Sequence, residues 1–310
     1  MRIGLIDVDG HNFPNLPLMK LSAYHKAKGD SVEWYQPMFS GHMDIVYMSK
    51  VFSFTPDYPY YVDAEKVCRG GSGYCIELLD GREIYHAEND QNLPDEIEHI
   101  YPDYSLYPER TEDTAYGFLT RGCPRGCGFC HVAAKEGRCS RKVADIEEFW
   151  HGQKNIVLCD PNILAYKEHK GLLRQIIDSK AKVEFNQGLD IRFVNNDNID
   201  LLRKAKLTGI HFAFDRWQDR DIVEQKLRMF AEETGYNKDR GKVTVFILTN
   251  YDTTIEQDLY RIQLCRELKF APYPMIYDKE HADPIYRKMQ RWCNNFIFWK
   301  CKTFEEYNRR

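Results

Sequence analysis

The chain has 310 residues, 43% of them hydrophobic and 29% charged, a composition that excludes a disordered or fibrous protein and supports a sizeable core in about two domains. The formal net charge of −4 hides an asymmetry: residues 1–110 hold 9 Lys+Arg against 18 Asp+Glu, and residues 111–310 hold 34 against 29, so the first third repels polyanions while the rest can admit phosphates or anionic cofactors locally. The apolar run Ile3–Ile6 is broken by Asp7 and Asp9 before a signal-peptide core forms, and no apolar stretch reaches the roughly 18 residues of a membrane helix, so a cytoplasmic protein without membrane contact is expected.

Taken in chain order, Arg2–Asp7 alternates as a short strand, and Leu18, Leu21, Ala23 and His25 then share a helical face that stops at Gly29-Asp30. Val32–Tyr35, Asp44–Met48 and Lys66–Cys68 read as further strands, the last running into Gly70-Gly71-Ser72-Gly73. This pattern predicts a small parallel, Rossmann-like α/β domain over residues 1–80, whose glycine turn admits a second backbone or a ligand. Residues 81–112 are acidic and turn-rich, with Pro94, Pro102 and Pro108, and read as a linker. From there the period lengthens. Tyr116–Leu119, Asn155–Leu158, Val183–Asn186, Ile210–Phe214, Val243–Leu248 and Tyr273–Ile276 are candidate strands. Helical stretches Ile146–Phe149, Leu172–Ser179, Ile199–Ala205, Ile222–Thr234 and Ile255–Leu268 lie between them. Spacings of roughly 27 to 40 residues fit β/α units, and six of them make a partial (β/α)6 barrel over residues 113–280. Residues 281–310 form a basic, aromatic-rich extension.

Ten cysteines in a cytoplasmic chain read as metal ligands, catalytic thiols or small buried residues rather than disulfides. Directly after the first strand of the second domain stands Arg121-Gly-Cys123-Pro-Arg-Gly-Cys127-Gly-Phe-Cys130-His131. A C-x3-C-x2-C triple arises by chance about 0.01 times in a chain with this cysteine content. Three thiolates in eight residues can hold three irons of a four-iron cluster and leave the fourth open to an external ligand. Gly122, Gly126 and Gly128 would allow the positive φ angles and close approach that wrapping a cluster needs, and Arg121 and Arg125 add positive charge. Rival readings of the same residues are a C-x-x-C-H haem attachment, a zinc site with Cys139 as fourth ligand, and a non-catalytic metal-binding or electron-transfer protein.

The spacing of Cys123, Cys127 and Cys130, with Phe129 before the third cysteine, resembles the hallmark of the radical S-adenosylmethionine (SAM) superfamily. The resemblance implies a radical SAM barrel with a [4Fe-4S] cluster at its first loop. It implies SAM chelated through its amino and carboxylate groups at the open iron, and an enzyme that cleaves SAM reductively to start radical chemistry. A reductant protein such as a ferredoxin or flavodoxin is the implied partner. Later strand ends carry the implied SAM contacts: Asp160, where the family often has Gly-Gly-Glu; Gln187, Asp190 and Arg192 after the third strand; Asp215 after the fourth; and Asn250, beside Thr249, after the fifth. Each of these also suits a cap or turn. Cys68, Cys75, Cys293 and Cys301 read as buried small residues.

The domain order resembles the cobalamin-dependent branch of the superfamily, as does the stretch from Phe13 to Val32, which implies a corrin slot in the first domain. Asp9 and His11 match part of an Asp-x-His-x-x-Gly lower-ligand motif, with Pro14 at the glycine position. The expectation here is that Tyr74, Phe13 or their neighbours fill the slot. Basic residues interleaved with Trp292, Phe296, Phe298, Trp299, Phe304 and Tyr307 read as an amphipathic cover on the barrel rather than a nucleic-acid surface.

Overall fold

The computed structural model describes every residue except His11, Asn12, Asp80, Gly81, Arg240, Asn294, Asn295, Phe296, Arg309 and Arg310. Contact density divides the chain into two units. The first comprises Met1–Phe118 with Gly122–Arg138 and Val143–Ile156, and the second Leu119–Arg121, Cys139–Lys142 and Val157–Arg310. The protein is a mixed α/β structure built on parallel sheets.

The first unit opens with β1 (Arg2–Asp7), a helix Leu16–Ala27, β2 (Ser31–Trp34), β3 (Met43–Ser49) and β4 (Ala64–Gly70). These strands form a parallel sheet in the order β2-β1-β3-β4. Asn15 caps the helix by accepting a hydrogen bond from Leu18 N at 3.2 Å, with proline in the first turn where no N–H is needed. Its buried Leu18 and Leu21 pack on Ile3 and Leu5 of β1. The hairpin β5 (Ile76–Leu79) and β6 (Arg82–Tyr85) is antiparallel, and β7 (Thr114–Gly117) follows.

The segment 81–112 is not the linker expected from its acidity. Ile97, from a short helix Asp95–Glu98, joins the core formed by Ile3, Leu5, Leu18 and Leu21, with Leu93 and Leu106 packed against it. Polar ties hold it as well: Lys26 Nζ reaches Asp103 at 2.6 Å, Ser22 donates to Asp103 at 2.6 Å, and Tyr107 donates to Asp7 at 2.6 Å.

The second unit carries the longer period. After the antiparallel pair β8 (Thr120–Arg121) and β9 (Arg141–Lys142) come β10 (Asn155–Leu158), β11 (Lys182–Phe185), β12 (Lys206–Ala213), β13 (Val243–Thr249) and β14 (Ala271–Ile276). The large sheet has six strands in the order β14-β13-β12-β11-β10-β7, and the pairings from β11 to β14 are parallel. The order is open, with β7 and β14 at the two edges, as a partial barrel requires. Leu207, Ile210 and Phe212 of β12 are buried on one face, and Val243, Val245 and Ile247 of β13 match them. The helix Arg220–Thr234 supplies Phe230 to this layer, edge-on to Phe212 with ring centroids 4.8 Å apart. The expected helix at Ile146–Phe149 is only a 3-10 turn, Ile146–Glu148. Pro272 and Pro274 suit β14 because an edge strand can spare backbone donors. Gln290, on the helix Pro284–Cys293, donates to the Pro274 carbonyl at 2.8 Å. Trp292, Phe298 and Phe304 are buried, and the Arg266 guanidinium lies 4.0 Å from the Phe298 ring, so these aromatics act as core. Phe296, Arg309 and Arg310 of the extension lie outside the described residues. Among the described residues no helix is long and apolar enough to cross a membrane.

Candidate active site

The cysteine loop lies in the first unit. Cys123, Cys127 and Cys130 are all partly exposed, and Phe129 is half-buried. The loop is closed at its neck, where Gly122 N donates to Glu136 Oε2 at 2.9 Å and Cys123 N to the Gly137 carbonyl at 3.1 Å. Cys130 N donates to the Cys127 carbonyl at 3.1 Å. Gly122 and Gly126 adopt positive φ, 87° and 57°, as expected. Gly128 does not; the third left-handed glycine is Gly137, at φ 100°, because the chain reverses where the loop ends rather than inside it. His131, next after Cys130, donates through its backbone N–H and places Nδ1 on Glu83 Oε2 of β6, at 3.1 and 2.7 Å. Burial pushes the Glu83 carboxyl up, and the His131 hydrogen bonds hold it below its usual range.

Three partly exposed thiols on one loop are donors of the type an iron–sulfur cluster uses. Burial pushes the Cys130 thiol up to about 11, and the charges of Cys127 and Cys123 both act on it in the same direction. Metal binding must release the Cys130 proton. Among the described residues no group of three or more His, Cys, Asp or Glu is gathered to chelate a single ion. A cluster of several irons spreads its thiolates over different irons.

The residues expected at later strand ends lie in the second unit. The structure gives most of them partners in the chain. Asp160, 2% exposed, accepts from Leu119 N at 3.1 Å and from Thr120 N and Oγ1 at 2.5 and 2.7 Å. Burial raises its carboxyl to about 6 while these donors pull it down. It anchors the chain at Thr120, three positions ahead of Cys123, and so differs from the open carboxylate implied by the missing Gly-Gly-Glu. Asp190 caps the turn Ile191–Phe193 and pairs with Arg192 Nε at 2.7 Å. Arg192 also pairs with Asp219. Asp215 accepts from Leu248 N at 3.1 Å, and burial raises its carboxyl to about 6 against the opposing charges of Arg261 and Arg192. Asp190, Arg192 and Asp215 thus share one electrostatic cluster. Asn250 sits at φ 63° and donates to the Tyr277 carbonyl at 3.1 Å, a turn role. Gln187 is exposed.

Sequence reasoning missed two features. Arg261 and Asp258, on the helix Ile255–Leu268, are wholly buried and paired. Arg261 donates to the carbonyls of Phe214 and Leu248, at 2.5 and 2.8 Å, the residues that precede Asp215 and Thr249-Asn250. Asp258 accepts from Asn250 N at 3.3 Å. The second is His211 of β12, which donates from Nδ1 to the Phe185 carbonyl at 2.6 Å and stacks on Phe246 at 5.0 Å. That bond requires a proton on Nδ1. Its signal was the polar position between Ile210 and Phe212.

In the first unit the sheet order reverses between β1 and β3, the position at which such sheets receive ligands. Here the two strand ends are tied together by the chain itself. Asp9 accepts from Val51 N at 2.9 Å and Phe52 N at 2.7 Å, and Asn15 donates to Ser49 Oγ at 2.8 Å. A Cβ on Gly71 would lie 2.3 Å from the Lys50 carbonyl oxygen, so the glycine turn serves the close approach of a second backbone. Tyr74 donates to Asp57 at 2.6 Å with Lys50 Nζ 4.9 Å from its ring, and Phe13 packs edge-on to Tyr116 at 5.2 Å. His11 lies outside the described residues.

No protein-family model and no curated protein matches the chain. Among solved structures, it is similar to Streptococcus suis SuiB bound to S-adenosylmethionine, with 14% identity, a TM-score of 0.44, and 61% of this chain and 48% of that chain covered. For SuiB bound to the precursor peptide SuiA the figures are 13%, 0.42, 68% and 54%. For the apo form of the cobalamin-dependent S-adenosylmethionine radical enzyme OxsB they are 14%, 0.40, 89% and 49%. The chain spans about half the length of each of these proteins.

Proposed function

We propose that the protein is a radical SAM enzyme in which Cys123, Cys127 and Cys130 hold a [4Fe-4S] cluster with one iron open to SAM. The observation that carries this reading is the C-x3-C-x2-C loop itself. It follows the first strand of an open parallel β/α sheet, and it is closed at its neck by backbone bonds with glycines in left-handed conformations. When bound, the cluster supplies the electron that cleaves SAM to methionine and a 5′-deoxyadenosyl radical able to abstract a substrate hydrogen. The chain's own part is positional. Cys130 gives up its thiol proton, and the His131–Glu83 pair holds the loop's exit. Asp160 fixes Leu119 and Thr120 ahead of the loop, and Arg192 offers a cation whose charge Asp190 and Asp219 already balance. A ferredoxin- or flavodoxin-type protein delivers the electron.

The test is anaerobic reconstitution with iron and sulfide followed by SAM and a strong reductant. The expected products are 5′-deoxyadenosine and methionine. An intact cluster that cleaves no SAM under any reductant would overturn the enzyme reading and favour a non-catalytic metal protein.

A further inference from the structure

The helix Val132–Lys135 follows the cysteine loop, and its last residue meets a cysteine sixty positions earlier in the chain. Lys135 Nζ lies 3.3 Å from Cys75 Sγ and 2.5 Å from Asp90 Oδ1. Tyr85 donates to the other oxygen of Asp90 at 3.0 Å. Cys75 is 0% exposed; its sulfur also lies 3.8 Å from the carbonyls of Gly71 and Ser72, and Asp90 acts on it as well. The lysine side chain is 14% exposed and that of Asp90 4%, so the pair lies just beneath the surface, within reach of a small oxidant and closed to a bulky thiol. Burial pushes the thiol up while the lysine charge pulls it down.

A thiol and an amine are both nucleophiles and do not react with each other until an oxidant withdraws electrons. Asp90 then has a second use, as the base that takes the ammonium proton and frees the nitrogen lone pair. A direct S–N bond would bring the two atoms to about half their 3.3 Å separation, whereas one inserted oxygen leaves them further apart and needs less movement. We propose that Cys75 and Lys135 form an oxygen-bridged S–O–N cross-link when the protein meets dioxygen. For the neutral groups the change is RSH + R′NH2 + O2 → RS–O–NHR′ + H2O. The S–H bond, one N–H bond and the O–O bond break; the S–O and O–N bonds form. Sulfur and nitrogen each give up two electrons, and the second oxygen leaves as water. The link ties residue 75 to residue 135, five positions after Cys130, and records oxygen exposure next to the loop that carries the exposed thiols. It stands apart from the proposed enzymatic reaction, because it needs neither a cluster nor SAM.

The experiment uses the purified full-length chain, freed of reductant under nitrogen and then divided between nitrogen and air, with intact-mass measurement and peptide mapping. In air the chain should become about 14 Da heavier, one oxygen gained and two hydrogens lost. The gain should map to a linked pair of peptides containing Cys75 and Lys135, and dithiothreitol should reverse it. The nitrogen sample should lack it, as should Lys135→Arg, which keeps a cation beside Asp90 but has no primary amine. The proposal is overturned if air-exposed wild-type protein yields Cys75 as an unlinked thiol or sulfinic acid, or as a link formed by loss of two hydrogens without oxygen. Persistence of the linked mass in Lys135→Arg overturns it equally.

Discussion

Replacing Arg261 by Met tests whether one buried cation holds the loops that carry Asp215 and Asn250. Its side chain and that of Asp258 are both 0% exposed, and its guanidinium serves the Phe214 and Leu248 carbonyls as well as the carboxylate. Met fills much of the volume, so the cavity contribution is small. What remains is a buried carboxylate without its cation, at about 3–5 kcal/mol, and two carbonyls whose donors are gone, at about 1–3 kcal/mol each where water cannot enter. These costs overlap, since water drawn to the carboxylate can also reach the carbonyls. A net loss of about 4–6 kcal/mol is expected, a large share of the 5–15 kcal/mol that folds a typical domain. The double variant Arg261→Met/Asp258→Leu removes the orphaned charge and leaves the two carbonyls and the Asn250 N–H, so it should lose about 2–4 kcal/mol. The order is thus reversed from simple additivity: two substitutions should harm less than one. Urea denaturation of the full chain followed by circular dichroism measures both. If Arg261→Met costs less than about 1 kcal/mol, or if the double variant is no more stable than the single one, the buried pair is not what holds these strand ends.

Four further outcomes follow from the same geometry. Changing Cys123, Cys127 or Cys130 to Ala should remove most of the iron and brown absorption after reconstitution, while Cys159→Ala and Cys265→Ala keep them, because burial pushes both of those thiols up to about 12; equal loss in all five would mean misfolding. The Asp160 carboxyl is raised to about 6 in the fold, so between about pH 4 and 6 the unfolded chain binds fewer protons and stability falls as pH rises, by about 1–3 kcal/mol. Asp160→Asn should flatten that part of the fall in pH-dependent denaturation, and an unchanged slope refutes the assignment. Gly71→Ala, at φ 95° with the new Cβ 2.3 Å from the Lys50 oxygen, should cost more than about 2 kcal/mol, whereas Gly152→Ala, at φ 101° with nothing within 4 Å, should cost only the backbone strain of about 1 kcal/mol; equal melting shifts would refute the close-approach argument. Hydroxocobalamin should not bind stoichiometrically in equilibrium dialysis, and stoichiometric uptake that His11→Ala weakens would refute that expectation.

What could be read in advance follows the range over which each signal acts. Asn155–Leu158 and Ile255–Leu268 appear at the expected bounds because strand alternation is local, and because Thr254 and Gln257 form a reciprocal cap within four residues, with bonds of 3.3 and 3.0 Å. The cysteine loop was legible for the same reason, since its spacing needs no partner from elsewhere in the chain. Asp160 was misread because polarity at a strand end has two outcomes, a ligand or the chain's own orphan donors, and only tertiary structure reveals that Leu119 and Thr120 are waiting there. Arg261 defeats the pattern more completely. A charged residue in an amphipathic helix is ordinarily its solvated face, and nothing local marks one whose carbonyl partners lie 47 and 13 residues away. The same asymmetry hides Lys135 from Cys75 and buries Ile97 in a stretch that composition assigns to a linker. Motifs that bind a cofactor are therefore the most readable part of such a chain, and the side chains that hold those motifs in register are the least. Arg261 illustrates the consequence: it touches no expected ligand, yet the carbonyls it holds belong to the residues immediately before two candidate site positions, so a search for function confined to motif residues would leave out a group on which their placement depends.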